Sequence, residues 1–288
     1  MRASRLGWPL ALLAALVATE AAVLVLRPRG GVLKPAPVSA TGYFSAHDVD
    51  RARAYSRPQL ALFAAQLVAE GALLVVLVRR PPRRLRGPFR RPLLAGAATG
   101  AALAVALTAV TLPLSAVAEQ RARDYGLSTQ DWGGWAGDTA KGLGVELVLA
   151  AGGGALALAL VRRFPRRWWI PAAAGSVALG AAFLVAGPLV IDPLFNRFTP
   201  LPAGQTRSDV VELARQAGVK VDRVLEMDAS RQTSAANAYV TGLGAAKRVV
   251  LYDNLLKRFT RDEVRLVVAH ELGHVHYRDV PRGLIFLA

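Results

Sequence analysis

Long apolar runs dominate the first two thirds of the chain. Five of them reach the roughly 20 residues that a helix needs to cross a bilayer. They run approximately over Trp8–Leu26, Leu60–Val78, Leu93–Ala118, Gly142–Val161 and Trp169–Ile191. The first run is long for a secretory signal and lacks a small-residue cleavage site before Arg27, so we interpret it as an uncleaved span. The pattern predicts a polytopic helical membrane region over residues 1–192.

The polar intervals between these runs are predicted as loops. Two of them are long, Arg27–Gln59 and Glu119–Lys141, and the second is amphipathic. Its tryptophans, Trp132 and Trp135, are of the kind that lies at a membrane surface.

The hydrophobic pattern changes after Ile191. A helix is predicted from Thr206 to Gly218, with Ser208 as its cap and Gly218 as its stop. Short stretches rich in β-branched residues then predict three strands. They are Arg223–Met227, Ala238–Thr241 and Arg248–Tyr252.

A last helix is predicted to begin at Thr260. Thr260 and Glu263 have the spacing of a capping box, and valines follow on one side of the predicted helix. Residues 193–288 are therefore predicted to form a small α+β domain. A sixth apolar run, Gly283–Ala288, has only begun when the sequence stops, which predicts that this domain is incomplete.

Composition supports a membrane protein and excludes some other classes. The chain is 53% hydrophobic, with a mean hydropathy of +0.32 and a net charge of +16. Eleven arginines lie in two short connections between apolar runs. They are Arg79, Arg80, Arg83, Arg84, Arg86, Arg90 and Arg91 in one and Arg162, Arg163, Arg166 and Arg167 in the other. Arginines in short connections between spans orient a protein in the membrane and contact anionic lipid, so we expect no nucleic-acid partner. Because there is no Cys, a disulfide or a thiolate zinc site is excluded.

Three predicted spans each carry one acid: Glu20, Glu70 and Glu146. A carboxylate at membrane depth is costly unless it is protonated, paired or facing water. We hypothesise that these acids face a polar interior between the helices; the alternative is a neutral, hydrogen-bonded carboxyl between two helices. Repeated small residues predict close helix packing in lipid. They lie in Ala98–Ala106, Ala150–Ala157 and Ala172–Ala182.

The chemistry-bearing stretch is the His-Glu-x-x-His sequence formed by His270, Glu271 and His274. On a helix, residues four apart are neighbours on one face, so the two imidazoles can reach one metal ion. Imidazole nitrogens suit zinc, which lowers the pKa of a bound water toward ~7. Glu271 then takes the proton of that water, which makes the water a nucleophile toward a peptide carbonyl. The motif therefore predicts a zinc endopeptidase with Glu271 as catalytic base.

The C-terminal third resembles the type 1 CAAX prenyl protease family of integral-membrane zinc metallopeptidases and its bacterial relatives. The resemblance rests on segments in matching order and spacing. They are Pro193–Leu201, Asn237–Gly242, Arg248–Leu256 and Asp262–Arg265, which leads into the His-Glu-x-x-His helix. The implied fold is mainly α: a helical membrane bundle of about five spans followed by an incomplete α+β zinc metallopeptidase domain with a small sheet. The implied localisation is a multi-pass protein of the cell membrane.

The resemblance also implies roles for further residues. The segment Asn237, Ala238 and Tyr239 is expected to be an extended edge that binds substrate. One Zn²⁺ per chain is expected, with a third ligand, a glutamate, beyond residue 288. Asp279 is expected to support the site and not to ligate, although a substitute-ligand role stays open. His276 follows His274 by two residues, about 200° around a helix, and should point away from the site.

The predicted function is a membrane-embedded zinc endopeptidase that cleaves membrane-associated or lipid-modified proteins or peptides. The predicted partners are a peptide or protein substrate and the lipid bilayer; the oligomeric state stays open. Because the Arg- and Ala-rich composition suggests a GC-rich bacterium, quality control or peptide processing is favoured over prenylated CAAX substrates. The alternatives are a non-catalytic binding or scaffold protein with a degenerate protease fold, and a transporter that uses the acids within the spans.

The side of the membrane that faces the zinc helix stays open at this stage. The arginine-rich connections after the second and fourth runs are predicted to be cytoplasmic, which puts the zinc helix outside. The family resemblance instead favours a catalytic segment that faces the cytosol.

Overall fold

The computed structural model describes residues 38–82, 91–242 and 247–279, together with isolated positions between 13 and 24. Most of the predicted first span and the run Gly283–Ala288 therefore lie outside the described residues, as do the arginines at 83, 84, 86 and 90.

Three long apolar helices form the membrane part of the described chain. They are α1 (Ala46–Arg79), α2 (Pro92–Asp124) and α3 (Trp132–Arg163). Each contains an 18-residue segment with a mean hydropathy of at least 2.0, and almost no residue of these segments is buried inside the protein. Apolar side chains without a protein partner are expected on helices that contact lipid. The second, third and fourth predicted spans are thus confirmed.

Both long intervals that were predicted as loops are partly helical, and those predictions are wrong. Helix α1 begins at Ala46 because the Ser45 hydroxyl accepts a hydrogen bond from the amide of Asp48. Helix α3 begins at Trp132 because Asp131 caps it through the amide of Gly134, at 2.6 Å. The connection between α2 and α3 is thus only residues 125–131 long.

The fifth predicted span is a helix with a break. Helix α4 (Trp169–Ala186) continues into a π-helical turn at Gly187–Ile191 and the short helix α5 (Asp192–Phe195), with a bend of 50° across the break. Residue 193 is a proline and has no N–H to donate back into the turn. The Pro188 carbonyl instead accepts a hydrogen bond from the Arg248 guanidinium at 3.1 Å.

The close packing predicted from small residues occurs where α2 crosses α3. A Cβ atom on Gly100 would overlap the carbonyl of Ala150, and one on Gly96 would overlap the carbonyl of Gly154. The two backbones touch there, which only small residues permit.

Two of the three acids within the spans line a cavity between α1, α2 and α3. Its volume is about 890 Å³, and its lining includes Glu70, Glu146 and Thr108. Thr108 Oγ1 donates a hydrogen bond to Glu146 Oε2 at 3.1 Å. Glu20 is exposed, and most of its chain neighbours lie outside the described residues. The cavity beside Glu70 and Glu146 fits the hypothesis of a polar interior, and the hydrogen bond between Thr108 of α2 and Glu146 of α3 fits the alternative of a hydrogen-bonded carboxyl between two helices, so both stay open.

The remainder of the described chain builds a four-stranded sheet. Its strands are β1 (Phe198–Pro200), β2 (Val221–Met227), β3 (Ala238–Thr241) and β4 (Lys247–Tyr252), in the order β1-β2-β4-β3. Strands β2 and β4 are parallel, and the two outer strands pair antiparallel to them. All three predicted strands are present. Strand β1 was not predicted, and it lies in the segment Pro193–Leu201 on which the family resemblance rests.

Three helices complete the described chain: α6 (Gln205–Gln216), α7 (Asp253–Arg258) and α8 (Arg261–His276). One face of the sheet packs against α6 and α8 through a cluster that includes Val210, Val249, Leu251 and Val268. Helix α6 ends near the predicted Gly218, whose φ of +66° favours glycine. Its predicted cap is wrong, because Ser208 lies inside the helix and donates to the carbonyl of Gly204.

Substitution of Gly100 by Ala should destabilise the protein, because the added methyl group pushes α2 away from α3. Overpacking of this kind costs about 1–3 kcal/mol. The matched control is Gly152→Ala on α3, where a Cβ meets nothing within 4 Å and the change should be neutral or stabilising. Thermal unfolding in detergent measures both, and equal melting temperatures for the two variants would contradict the described crossing.

Candidate metal centre and the adjoining sheet edge

Helix α8 carries the His-Glu-x-x-His residues and is fixed at its start by the predicted capping box. The Thr260 hydroxyl accepts from the amide of Glu263, and the Glu263 carboxylate accepts from the amide of Thr260 at 2.8 Å. The hydrogen bonds that the Glu263 carboxylate accepts from the amide and the hydroxyl of Thr260 lower its pKa. Val264, Val268 and Leu272 are buried at four-residue intervals, so one stripe of α8 faces the sheet. The histidines at 270 and 274 lie on the exposed side of the helix.

The two imidazoles converge on one point. Nε2 of His270 and Nε2 of His274 lie 3.1 Å apart, and the rings are nearly perpendicular. Two nitrogens bound to zinc at 2.0–2.1 Å with tetrahedral angles are about 3.3 Å apart. The pair therefore has the separation that two ligands of one zinc ion require. Glu271 is half-buried and lies next to His270 in the chain.

Asp279 holds the ring of His274 from its other side. Asp279 Oδ2 lies 2.7 Å from His274 Nδ1, which raises the pKa of His274. A histidine whose Nδ1–H donates to a carboxylate presents the lone pair of Nε2 to a metal. Arg278, which has a φ of 56°, turns the chain after α8 so that the next residue, Asp279, lies beside His274. Such a left-handed residue ends a helix sharply, and α8 ends two residues earlier, at His276.

His276 points away from the pair, as its spacing predicts. Its Nδ1 lies 2.9 Å from the carbonyl of Ala217 at the end of α6. Among the described residues there is no group of three or more His, Cys, Asp or Glu side chains arranged to hold a metal. The described donor set is therefore the histidine pair with Asp279 behind one ring, which fits two of the protein ligands of a zinc site.

An ion pair joins α8 to α6, and nothing in the sequence pattern predicts it. The carboxylate of Asp209 accepts two hydrogen bonds from Arg261, at 2.6 and 2.7 Å, and a third from Arg265 at 3.1 Å. The hydrogen bonds from Arg261 are the main reason that the pKa of Asp209 is lowered. The contact fixes the first turns of α8 against α6 and so contributes to the direction in which the histidines point.

The predicted substrate segment forms the edge of the sheet beside α8. In an antiparallel pair, alternate residues direct their N–H and C=O groups to the partner strand. The Tyr252 amide donates to the Asn237 carbonyl at 3.0 Å, and Tyr239 pairs with Val250. The main-chain groups of Ala238, between them, thus point away from β4, and no strand in residues 38–82, 91–242 and 247–279 pairs with that side.

The three residues of this segment have different surroundings. Ala238 is 1% exposed, because its side chain lies beneath α8, and Asn237 is exposed. The Tyr239 side chain lies on the opposite face of the sheet, where its hydroxyl donates to Asp192 Oδ2 at 3.3 Å. Burial is the main reason that the pKa of Tyr239 is raised. The Asn237 side chain, and neither the buried Ala238 nor the Tyr239 ring, is therefore the accessible polar group of this segment.

The chain that leads into β3 is attached to the membrane helices. The Ser234 amide donates to the carbonyl of Leu127 at 2.9 Å, and the Thr129 amide donates to the carbonyl of Gln232 at 3.2 Å. The Gln232 side chain also donates to Asp138 of α3 at 3.0 Å. The loop between α2 and α3 thereby holds the approach to the sheet edge, which sequence reasoning missed because the partners are a hundred residues apart.

Helix α7 holds the same segment from the other side. Asn254 Nδ2 donates to the carbonyls of Thr233 and Ala235, at 2.7 and 3.1 Å. The amide and hydroxyl of Ser230 both donate to the Asp253 carboxylate. Burial alone would raise the pKa of Asp253, but hydrogen bonds from Lys257 and Ser230 outweigh it and lower that pKa. The entry to β3 is consequently held on two sides.

Comparison with known families covers almost all of the chain. Residues 32–197 match the family described as "CAAX prenyl protease N-terminal, five membrane helices", and residues 200–287 match "Peptidase family M48". The fold is similar to the crystal structure of S. mikatae Ste24p, with a TM-score of 0.71 over 95% of this chain and 67% of that chain, at 24% identity.

Two curated proteins show similarity at the level of sequence. The "Uncharacterized metalloprotease YhfN" of Bacillus subtilis is 35% identical over 63% of this chain and 43% of its own length. "CAAX prenyl protease 1" of Saccharomyces cerevisiae is 36% identical over 53% of this chain and 34% of its own length. The chain thus spans less than half the length of either relative.

Removal of the Asp279 carboxylate should weaken metal binding without unfolding α8. Loss of a carboxylate that orients a ligand histidine typically costs 10–100-fold in affinity, and we expect Asp279→Ala to fall in that range. Zinc titration against a chelating indicator measures it. The control is Asp222→Ala on β2, an exposed acid that pairs with its neighbour Arg223. Equal zinc affinity for the two variants would exclude the role given to Asp279.

The contact between Asp209 and the two arginines should make the stability of the folded protein depend on pH. Because the folded pKa of Asp209 is lowered, its contribution is present above the ordinary carboxyl pKa of about 3.9 and is lost as pH falls through the lowered folded pKa. Asp209→Asn should therefore melt well below the parent at about pH 6, and the difference should shrink toward about pH 2. A difference that grows with acidity would be the wrong sign.

Proposed function

The chain belongs to the CAAX prenyl protease family, and we propose that it is a membrane-embedded zinc endopeptidase whose site is formed by His270, Glu271 and His274. The observation that carries the proposal is the convergence of two imidazole Nε2 atoms at 3.1 Å on a helix beside an open sheet edge. A pair of histidines that can bind a metal and an edge strand are the two parts that a metallopeptidase needs, since the metal activates water and the strand aligns a peptide.

The first step is the binding of an extended peptide. We propose that it adds to β3 as a further strand at the segment Asn237, Ala238 and Tyr239, with a hydrogen bond from the exposed Asn237 amide. Tyr239 takes part through its position in the strand, since its ring is held on the far face by Asp192. Main-chain pairing of this kind gives alignment without strong sequence preference.

The second step is hydrolysis, with Glu271 moving the proton. A bound zinc ion would supply a Lewis acid that makes water acidic near neutral pH. Glu271 takes a proton from that water as its oxygen bonds to the carbonyl carbon, and returns the proton to the amine nitrogen as the C–N bond breaks. Asp279 keeps the Nε2 lone pair of His274 directed at the metal position.

We propose membrane-associated or lipid-modified peptides as substrates. The sheet is joined to the bundle through Gln232 and the loop between α2 and α3, so a peptide on β3 lies beside membrane helices. The name of the yeast relative points to prenylated CAAX peptides, whereas the composition of this chain favours processing or quality control in a bacterial membrane.

Glu271→Gln should abolish most proteolysis while zinc stays bound. The amide cannot accept the proton, and loss of a general base costs about 10²–10⁴-fold in rate. Cleavage of a quenched fluorescent peptide in proteoliposomes and the zinc content per chain are measured together.

The control is Asp262→Asn, an exposed acid in the first turn of the same helix, which should leave the cleavage rate unchanged. Undiminished cleavage by Glu271→Gln would refute the mechanism. If the parent itself neither binds zinc nor cleaves any peptide, the non-catalytic binding or scaffold function is favoured instead.

A further inference from the structure

Two side chains of α7 bind the main chain that leads into β3. Asn254 Nδ2 donates to the carbonyls of Thr233 and Ala235, at 2.7 and 3.1 Å. A guanidinium nitrogen of Arg258 donates to the carbonyl between them, that of Ser234, at 2.8 Å. Three successive carbonyls are therefore held by one short helix that directly follows β4.

The Asn254 amide continues the row of donors that β4 presents to β3. At the last residue of β4, the Tyr252 amide donates to the Asn237 carbonyl at 3.0 Å. Two residues before Asn237 the carbonyl is that of Ala235, and two before that it is Thr233. In an antiparallel pair alternate residues face the partner strand, and a primary amide has two N–H groups to donate. One side chain thus replaces further main-chain pairs at the point where β4 has turned into a helix.

Asn254 is buried, whereas the residue that follows its two acceptors is accessible. Asn254 is 6% exposed, and an unpaired polar group at such a place is costly, so its amide and the two carbonyls are held in one arrangement. Asn237, the next residue whose carbonyl faces this side, has an exposed side chain. What Asn254 fixes is therefore the backbone from which the Asn237 side chain extends.

We propose that Asn254 is a positioning residue for peptide binding, with Arg258 as its support, because the two hold the backbone so that the Asn237 amide is presented to the peptide. The inference rests on the proposed function of the edge at Asn237. Both residues act through Asn237 and not on the reacting atoms. Alignment of this kind favours the bound peptide and the transition state equally, so its loss raises KM and leaves kcat unchanged.

The first test removes the two donors and keeps the shape of the side chain. Asn254→Asp does this, since a carboxylate only accepts and repels the two carbonyls. Loss of one hydrogen bond to a peptide weakens its binding by up to about tenfold. KM for a quenched fluorescent peptide in proteoliposomes should therefore rise by about this factor, with kcat and the zinc content per chain unchanged. An unchanged KM would overturn the inference, and so would a loss confined to kcat.

A double-mutant cycle decides whether Asn254 acts through Asn237. In an Asn237→Ala background the amide that Asn254 positions is already missing, so Asn254→Asp should add nothing further to KM. Additive effects of the two substitutions would give Asn254 a merely structural role.

Other variants separate positioning from stability. Val224→Ala opens a cavity in the core at a residue that is 5% exposed on β2, a strand that pairs with β4 and not with residues 233–237. It should lower the melting temperature and leave KM at the parent value; a raised KM would show that any loss of stability has this effect. Arg258→Gln alters an exposed residue and decides the question if Asn254→Asp does not fold. It should raise KM by about threefold, whereas Arg215→Gln, an exposed arginine paired with Glu212 on α6, should not. Equal KM values for these two arginine variants would overturn the inference.

Hydrogen exchange provides a measurement that needs neither zinc nor cleavage. The Tyr252 amide, which donates to Asn237, should exchange several-fold faster in Asn254→Asp than in the parent, because local opening at the end of the strand pair becomes easier. An unchanged rate overturns the inference whether or not the protein is a peptidase. Faster exchange in a chain whose parent cleaves no peptide would instead count against the proposed function alone.

Discussion

The burial of one stripe of α8 against the sheet is the constraint on which the candidate site depends. Val264, Val268 and Leu272 fill the space between the helix and strands β3 and β4, and each buried aliphatic side chain contributes about 1.5–3 kcal/mol. With that stripe fixed, the helical period leaves His270 and His274 no direction except outward. The position of the histidines is therefore a consequence of apolar packing, and the ion pair with Asp209 only adds to it.

The parts of the structure that follow from local rules could be predicted from the sequence. A capping box sets the start of α8, residues four apart share a face, and long apolar runs form spans, because each rule concerns neighbours in the chain. The three predicted strands were found for the same reason. The family resemblance added the expectation that Asn237 to Tyr239 forms an edge, which helical and strand periodicity alone could not supply.

The features that were missed depend on partners distant in sequence or on small local effects. Asp209 is an ordinary helix-surface acid until α8 brings two arginines to it. The bend after α4 lies next to Pro188, which has no N–H to donate to the preceding turn, and the helical extension of α1 depends on one hydroxyl, Ser45, outside the apolar run. In each case the apolar pattern is unchanged, so hydrophobic periodicity has no means of detecting the feature.

The hydrogen bonds between residues 230–234 and the α2–α3 loop have a practical consequence for any water-soluble fragment of this protein. A fragment that begins after α5 would keep the sheet and α8 but would lose the carbonyl of Leu127 and the carboxylate of Asp138. The Ser234 amide and the Gln232 side chain would then have only water as partner, and the strand that follows would lose one of its two supports. Excision from the bilayer would thus loosen the edge first, well before the aliphatic core beneath the helix is disturbed.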